Sequence, residues 1–187
     1  GDEAPVADLV ATCAAHDALL VLDEAHAVLG PWVPAGECDL LRVGTLSKTL
    51  GSLGGWVAGD ASLVDLLVNR ARPFIFTTGL SPADAAAGLA ALQVLRSDEG
   101  AALLARLRAV VDRVRPGHPS PIVPVVLGTE ERALAASACL LDAGLWVPAI
   151  RPPTVAPGTS RLRVALSAAH TDAMVDALLA GLAELDA

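Results

Sequence analysis

The sequence predicts an α/β fold, and three features predict it. Short apolar runs bounded by Gly, Pro or Asp recur at 18–22, 41–45, 56–58 and 74–77, the pattern of buried strands. Segments with apolar residues at three- and four-residue spacing lie before, between and after them. The first run also ends in acidic side chains, Asp23 and Glu24, and the carboxyl ends of parallel strands are where such folds meet their ligands.

Residues 5–16 read as an amphipathic helix, opened by Pro5 and carrying Val6, Leu9, Val10 and Cys13 at helical spacing. From Ser81 the text changes. Ser81, Pro82 and Asp84 supply an N-cap, a first-turn proline and an acid at the third helical position, so a long Ala- and Leu-rich helix is expected toward Leu95. A second helix, 101–115, places Leu103, Leu107, Val110 and Val114 on one face. The stretch PGHPSP at 116–121 is a break. After it, strands at IVPVVL, LWVPAI and RLRVAL alternate with helices at 130–143 and 172–185 to compose a compact α/β unit. A boundary is expected between residues 96 and 116, giving domains 1–100 and 101–187.

Composition excludes several classes of function. The 187 residues are 53% hydrophobic, enough for a substantial core. Only 13 Lys and Arg face 21 acidic residues, for a net charge of −8, so no nucleic-acid footprint is available. Mean hydropathy is +0.55, but the apolar runs end well short of the roughly 18–20 residues of a membrane span. No secretory leader is recognisable, and a cytoplasmic protein is expected. Cys13, Cys38 and Cys139 lack metal-ligand or disulfide spacing and are expected to be buried thiols. His16, His118 and His170 read as structural or surface groups, and Trp32, Trp56 and Trp146 as packing residues.

The chemistry centres on DEAH, Asp23 to His26, and on Lys48 in LRVGTLSKTLGSLGG. One reading is a helicase-type NTPase, with Asp23 on magnesium and Glu24 activating water. It requires a phosphate loop, yet the glycine positions of that motif around Lys48 hold Arg42 and Ser47. The other reading places Asp23 and Lys48 at the ends of neighbouring strands, addressing opposite ends of pyridoxal 5'-phosphate. That cofactor needs a lysine amine for its aldehyde and a carboxylate to keep its pyridine nitrogen protonated. The small residues around Lys48 let a cofactor approach the backbone closely.

Four ordered blocks then make a resemblance specific: DEAH, TLSK with LGG, ARPFIFTTGLSPA at 71–83, and AIRPPTVAPGTSRLRVALSAAHT at 149–171. In this order they resemble the α-oxoamine synthases, a family of fold-type I pyridoxal phosphate enzymes. The resemblance implies the second half of the large domain, with a mostly parallel sheet, followed by a small C-terminal α/β domain. It implies that Asp23 pairs with the pyridine nitrogen and His26 lies by the phenolic oxygen. It makes Lys48 the Schiff-base lysine and proton shuttle, and brings Thr45 to the phosphate. Thr77 and Thr78 are implied to reach the neighbouring subunit's cofactor in a homodimer. Arg151 is implied to hold the amino-acid carboxylate, with Arg161 and Arg163 as nearby alternatives.

Within the family, IRPPTVAPGTSRLR favours the member on the route to biotin, which condenses L-alanine with a pimeloyl thioester of CoA or of a carrier protein. Relatives that use glycine or serine, and an inactive fragment, are the alternatives. Thr49, a short DEAHAVLGP loop and TVAPGT in place of TVPxGT are local departures from the family pattern. The part of the family that stacks on the pyridine ring and cups the phosphate has no counterpart in this chain, so the chain is expected to be a piece of a longer or split enzyme.

Overall fold

The computed structural model describes residues 1–28, 36 and 38–185. Trp32 and the end of the DEAHAVLGP loop lie outside the described residues. Tertiary contacts gather the chain into two units, one of Ala4–Ala101 and one of Gly1–Glu3 with the residues from Ala102 onward.

The first unit runs from α1 (Val6–Ala15) into β1 (Leu20–Asp23), β2 (Leu40–Thr45) and β3 (Gly55–Ala58), then α2 (Ala61–Arg70), α3 (Arg72–Ile75) and α4 (Pro82–Leu95). β2 is the middle strand. β1 lies parallel to it in the register Leu20↔Leu40 to Asp23↔Val43. β3 lies antiparallel, from Arg42↔Ala58 to Thr45↔Gly55. The return into β3 is too short for a parallel crossover. It closes through Leu46 N–H on Gly54 O at 2.9 Å and Ser52 N–H on Leu46 O at 2.8 Å.

Two expectations are corrected here. The run 74–77 is not a strand: residues 72–75 form the short helix α3, with Pro73 in its first turn, followed by a turn at Phe76. Proline at that position fixes a helical φ and gives up an N–H that a helix start leaves unbonded. The strands are also not uniformly buried. Leu40, Leu41, Arg42 and Gly44 of β2 are buried, whereas Val21 is 58% and Val57 46% exposed, because β1 and β3 are the two edges of this sheet.

The chain continues through α5 (Asp98–Val114), β4 (Ile122–Gly128), α6 (Glu130–Asp142), β5 (Ala149–Ile150), β6 (Ser160–Ala165) and α7 (Asp172–Glu184). The second sheet is antiparallel in the order β4-β6-β5. Its core is dense: Val110, Val111, Val123, Leu140, Leu162 and Val175 are almost wholly buried. The apolar face expected on 101–115 is rotated, since Leu107, Val110 and Val111 are buried and Leu103 is 45% exposed.

Prolines shape this sheet. Pro124 sits in β4, an edge strand, where a missing N–H costs no ladder bond, and its carbonyl accepts from Arg115 at 2.9 Å. The strand expected over LWVPAI shrinks to Ala149–Ile150. Pro148 cannot donate, although its carbonyl still accepts from Arg163 N–H at 2.9 Å. Thr129 and Thr171 cap α6 and α7, each accepting an N–H at 3.3 Å. Of the cysteines, Cys38 is buried, Cys13 half-buried and Cys139 exposed. Cys139 lies beside the buried positions Ala133, Ala136 and Leu140 of α6, not among them. His118 is structural, its Nε2 2.8 Å from Ile122 O. Among the described residues no helix is long and apolar enough to cross a membrane, and no His, Cys, Asp and Glu cluster could hold a metal ion.

A charged clasp ties α5 to α7. Arg106 donates to Asp172 at 2.9 Å and Arg113 at 3.0 Å, and Arg113 also pairs with Asp176. The hydrogen bond and charge of Arg106, with Arg113 behind, hold the Asp172 carboxyl below its ordinary value. A carboxylate depressed on folding stabilises above its unfolded pKa and stops doing so as pH falls through the folded one. Acid unfolding below about pH 4 is therefore expected to be less steep in Asp172→Asn, with the difference shrinking at about 1 M salt, as read from urea midpoints. Burial yields a second prediction. Leu162→Ala should cost about 2–5 kcal/mol in urea unfolding, whereas Val21→Ala should shift it by no more than about 0.5 kcal/mol.

Candidate active site

The register of the first sheet decides which side chains share a face. Residues paired across a ladder project to the same side, and alternate residues along a strand project to opposite sides. Asp23 pairs with Val43, and Thr45 lies two residues beyond Val43 on the same strand. Asp23 and Thr45 therefore project from one face at the carboxyl edge of the parallel pair. Leu22, Arg42, Gly44, Trp56 and Ala58 project from the other.

The polypeptide at this edge is held by its own polar groups. Asp23 Oδ1 accepts from Ala25 N–H at 2.8 Å, and Glu24 N–H donates to Val43 O at 2.7 Å, continuing the ladder one residue past β1. His26 follows in an exposed turn. On β2, Thr45 Oγ1 accepts from Ser47 N–H at 3.1 Å, lies 2.7 Å from Ser47 Oγ and donates to Gly54 O at 3.2 Å. Lys48 stands next on this turn, exposed, with its carbonyl accepting from Gly51 N–H at 3.1 Å. Gly51 and Gly54 have φ of +55° and +124°, conformations that side chains with a Cβ resist. Behind the turn, Ser52 Oγ donates to Asp84 O at 2.6 Å, fastening it to α4.

Lys48 is the only lysine of the sequence, against twelve arginines. A guanidinium cannot condense with a carbonyl at neutral pH, so any lysine-dependent covalent chemistry in this chain falls on Lys48. The count is available from sequence and adds to the motif.

The remaining candidates lie on other segments of the chain. Thr77 and Thr78 occupy the exposed segment between α3 and α4, flanked by Phe74, Phe76 and Leu80, which are 60%, 73% and 46% exposed. Arg151 belongs to the second unit. It follows β5, is exposed, and pairs with Glu130 at 3.5 Å. Arg161 and Arg163 sit within β6, where Arg161 Nε donates to Thr159 O at 2.9 Å.

Two features carry no motif. Arg42 is 6% exposed and pairs with Glu24. The indole of Trp56 lies on Gly44, where a Cβ would come within 2.4 Å of the ring. An arginine inside LLRVGT was the available signal for the first, because a buried charge requires a partner.

The turn also answers the NTPase reading. A phosphate loop leads from a strand into a helix whose N-terminus faces the phosphates. Here β2 leads through residues 46–54 into another strand.

β1 thus closes on a carboxylate, and its parallel neighbour β2 leads into a turn that carries a lysine. The family described as aminotransferase class I and II matches residues 1–182, and the chain belongs to that family. Among curated proteins it is similar to the 8-amino-7-oxononanoate synthase of Anaeromyxobacter dehalogenans strain 2CP-C, 52% identical over 203 residues that cover 99% of this chain and 51% of that protein. It is likewise similar to the 8-amino-7-oxononanoate synthase of Methylorubrum populi, 51% identical over 188 residues, 99% of this chain and 48% of that one. The chain thus spans about half the length of the curated relatives it matches.

Among solved structures, the serine palmitoyltransferase of Sphingomonas wittichii aligns with a TM-score of 0.82 at 30% identity, over 99% of this chain and 51% of that one. The 8-amino-7-oxononanoate synthase of Francisella tularensis aligns at 0.71 and 24% identity, over 90% and 54%, a likeness of fold.

The contact between Gly44 and Trp56 is directly testable. Gly44→Ala drives a methyl group into the indole, so Trp56 must move. The expected result is a changed near-UV circular dichroism spectrum and a loss of about 1–3 kcal/mol in unfolding free energy.

Proposed function

We propose that this chain supplies the reacting half of a pyridoxal phosphate-dependent acyltransferase that condenses L-alanine with a pimeloyl thioester, as in 8-amino-7-oxononanoate synthesis. The observation that carries the reading is the shared face of Asp23 and Thr45 at the sheet edge, with Lys48 on the turn that follows. The donor set fits the cofactor. A carboxylate suits a protonated ring nitrogen, an amine suits an aldehyde, and the Thr45 and Ser47 hydroxyls suit a phosphate.

Bound pyridoxal phosphate supplies an electron sink for the α-carbon of the amino acid. In this reading Asp23 holds the proton on the ring nitrogen through the oxygen that Ala25 N–H leaves available. Lys48 would tether the cofactor's aldehyde and supply the amine that takes the α-proton and returns one. His26 sits by the phenolic oxygen. Arg151 grips the alanine carboxylate. Its contact with Glu130 is long and solvent-exposed, and such pairs contribute little, so a substrate carboxylate can replace Glu130. In the condensation the thioester C–S bond breaks, a C–C bond forms, the thiol leaves and the alanine carboxylate departs as carbon dioxide.

The exposed segment of Phe74, Phe76, Thr77 and Thr78 supports association with a second copy in the complete enzyme, where both threonines reach the partner's cofactor. The 52% identity to a named synthase favours alanine over the glycine and serine of related enzymes, and a cytoplasmic location follows from the same reading.

The test uses the single lysine. With pyridoxal phosphate followed by borohydride, a stable pyridoxyl adduct is expected on the peptide containing Lys48, and none on that peptide in Lys48→Arg. An adduct confined to the N-terminal amine refutes the assignment. In the complete enzyme, turnover with alanine should exceed turnover with glycine or serine at equal concentration. The reverse order moves the protein to a sibling activity.

A further inference from the structure

We propose that Glu24 and Arg42 are a positioning pair that fixes the Asp23 carboxylate from the reverse side of the sheet. The inference rests on the pyridoxal phosphate reading of Asp23 but concerns residues that the reading does not use. Arg42 lies at the centre of the sheet, paired with Leu22 on β1 and Ala58 on β3. Its side chain is 7% exposed and that of Glu24 17%.

Three restraints converge on the residues around Asp23. The Glu24 carboxylate accepts from Arg42 on one face. The Glu24 backbone N–H is bonded to Val43 O at 2.7 Å. The Asp23 carboxylate, on the other face, takes Ala25 N–H at 2.8 Å. With Glu24 anchored in both side chain and backbone, the chain turns after Glu24, at Ala25 and His26, and Ala25 N–H is brought to Asp23 Oδ1. One carboxylate oxygen is then committed to the turn and the other is oriented for a ligand. Outer-shell groups of this kind orient the group that touches the ligand and set its affinity.

The decisive variant is Glu24→Leu with Arg42→Met in the full chain. A buried ion pair can often be exchanged for apolar residues without loss of stability, while removal of one partner leaves an uncompensated charge. Arg42→Met alone, which takes the guanidinium away from the Glu24 carboxylate, should therefore lower the unfolding midpoint, and the double variant should recover it. A positioning role predicts that the double variant still binds pyridoxal phosphate about tenfold or more weakly, read from the visible absorbance retained in equilibrium dialysis. It also predicts faster hydrogen exchange at Ala25 N–H, which needs no cofactor. Recovery of both affinity and Ala25 protection along with stability overturns the inference. If the double variant does not fold, Arg42→Lys decides: the charge persists without the planar fork, so weakened affinity in a folded protein supports the pair and unchanged affinity overturns it. Absence of any borohydride-trapped adduct on Lys48 in the unsubstituted chain overturns the cofactor reading itself, and this inference with it.

Discussion

The parallel pairing of β1 with β2 is the constraint on which the candidate site depends. Its register sets Asp23 opposite Val43 and so fixes both the face and the edge from which the carboxylate leaves the sheet. A slip of one residue would turn Asp23 to the reverse face, because side chains alternate strictly along a strand. The ladder carries on past the strand through Glu24 N–H. Arg42, in the middle strand, pairs with the side chain of the same residue. Register, backbone and ion pair thus agree at one point in the chain.

The two units solve the packing problem differently. In the second, α5, α6 and α7 supply Val110, Val111, Leu140 and Val175, and the sheet supplies Val123 and Leu162, all almost fully buried. In the first, the buried apolar side chains among the described residues are Cys38, Leu40 and Leu41, while Leu19, Val21, Val57, Phe74 and Phe76 are more than a third exposed. Polar fastenings make up part of the difference near the candidate site: Thr45 to Gly54, Ser52 to Asp84, and Arg42 to Glu24. Each fixes a backbone segment that carries a candidate side chain. Hydrogen bonds are directional where apolar contacts are not, so they define the course of the turn that carries Lys48.

How much could be read in the sequence depended on the range of the interaction responsible. Ser81, Pro82 and Asp84 announced α4, and Ser81 Oγ does accept Asp84 N–H at 3.1 Å; capping is local, and sequence records local chemistry well. DEAH and TLSK were legible because short motifs carry their own chemistry. The run 74–77 misled because FIFT has strand-like composition, while the helix there is set by Pro73. Burial misled for a related reason. Apolar composition marks residues able to be buried, whereas position at a sheet edge decides whether Val21 is. The Glu24–Arg42 pair joins residues 18 apart in the chain, and only the register shows that the two side chains meet.

The candidate groups also differ in how firmly they are held, in a way that matches what each would have to do. Asp23 and Thr45 stand on strands and keep their hydrogen bonds within the sheet and its turn. A group that holds a ring nitrogen or a phosphate must not move between turnovers, and a strand end suits it. Lys48 stands on the adjoining turn, its backbone fixed by Gly51 N–H while its side chain remains exposed. That suits an amine that must leave a carbonyl carbon and return to a proton. Arg151 follows a two-residue strand and is half exposed beside Glu130. A guanidinium so placed can exchange one carboxylate for another at little cost, which is what capture and release of an amino acid require. On the proposed reading, the groups assigned to the ring and the phosphate stand on strands, while those assigned to the proton and the substrate stand on exposed segments between elements.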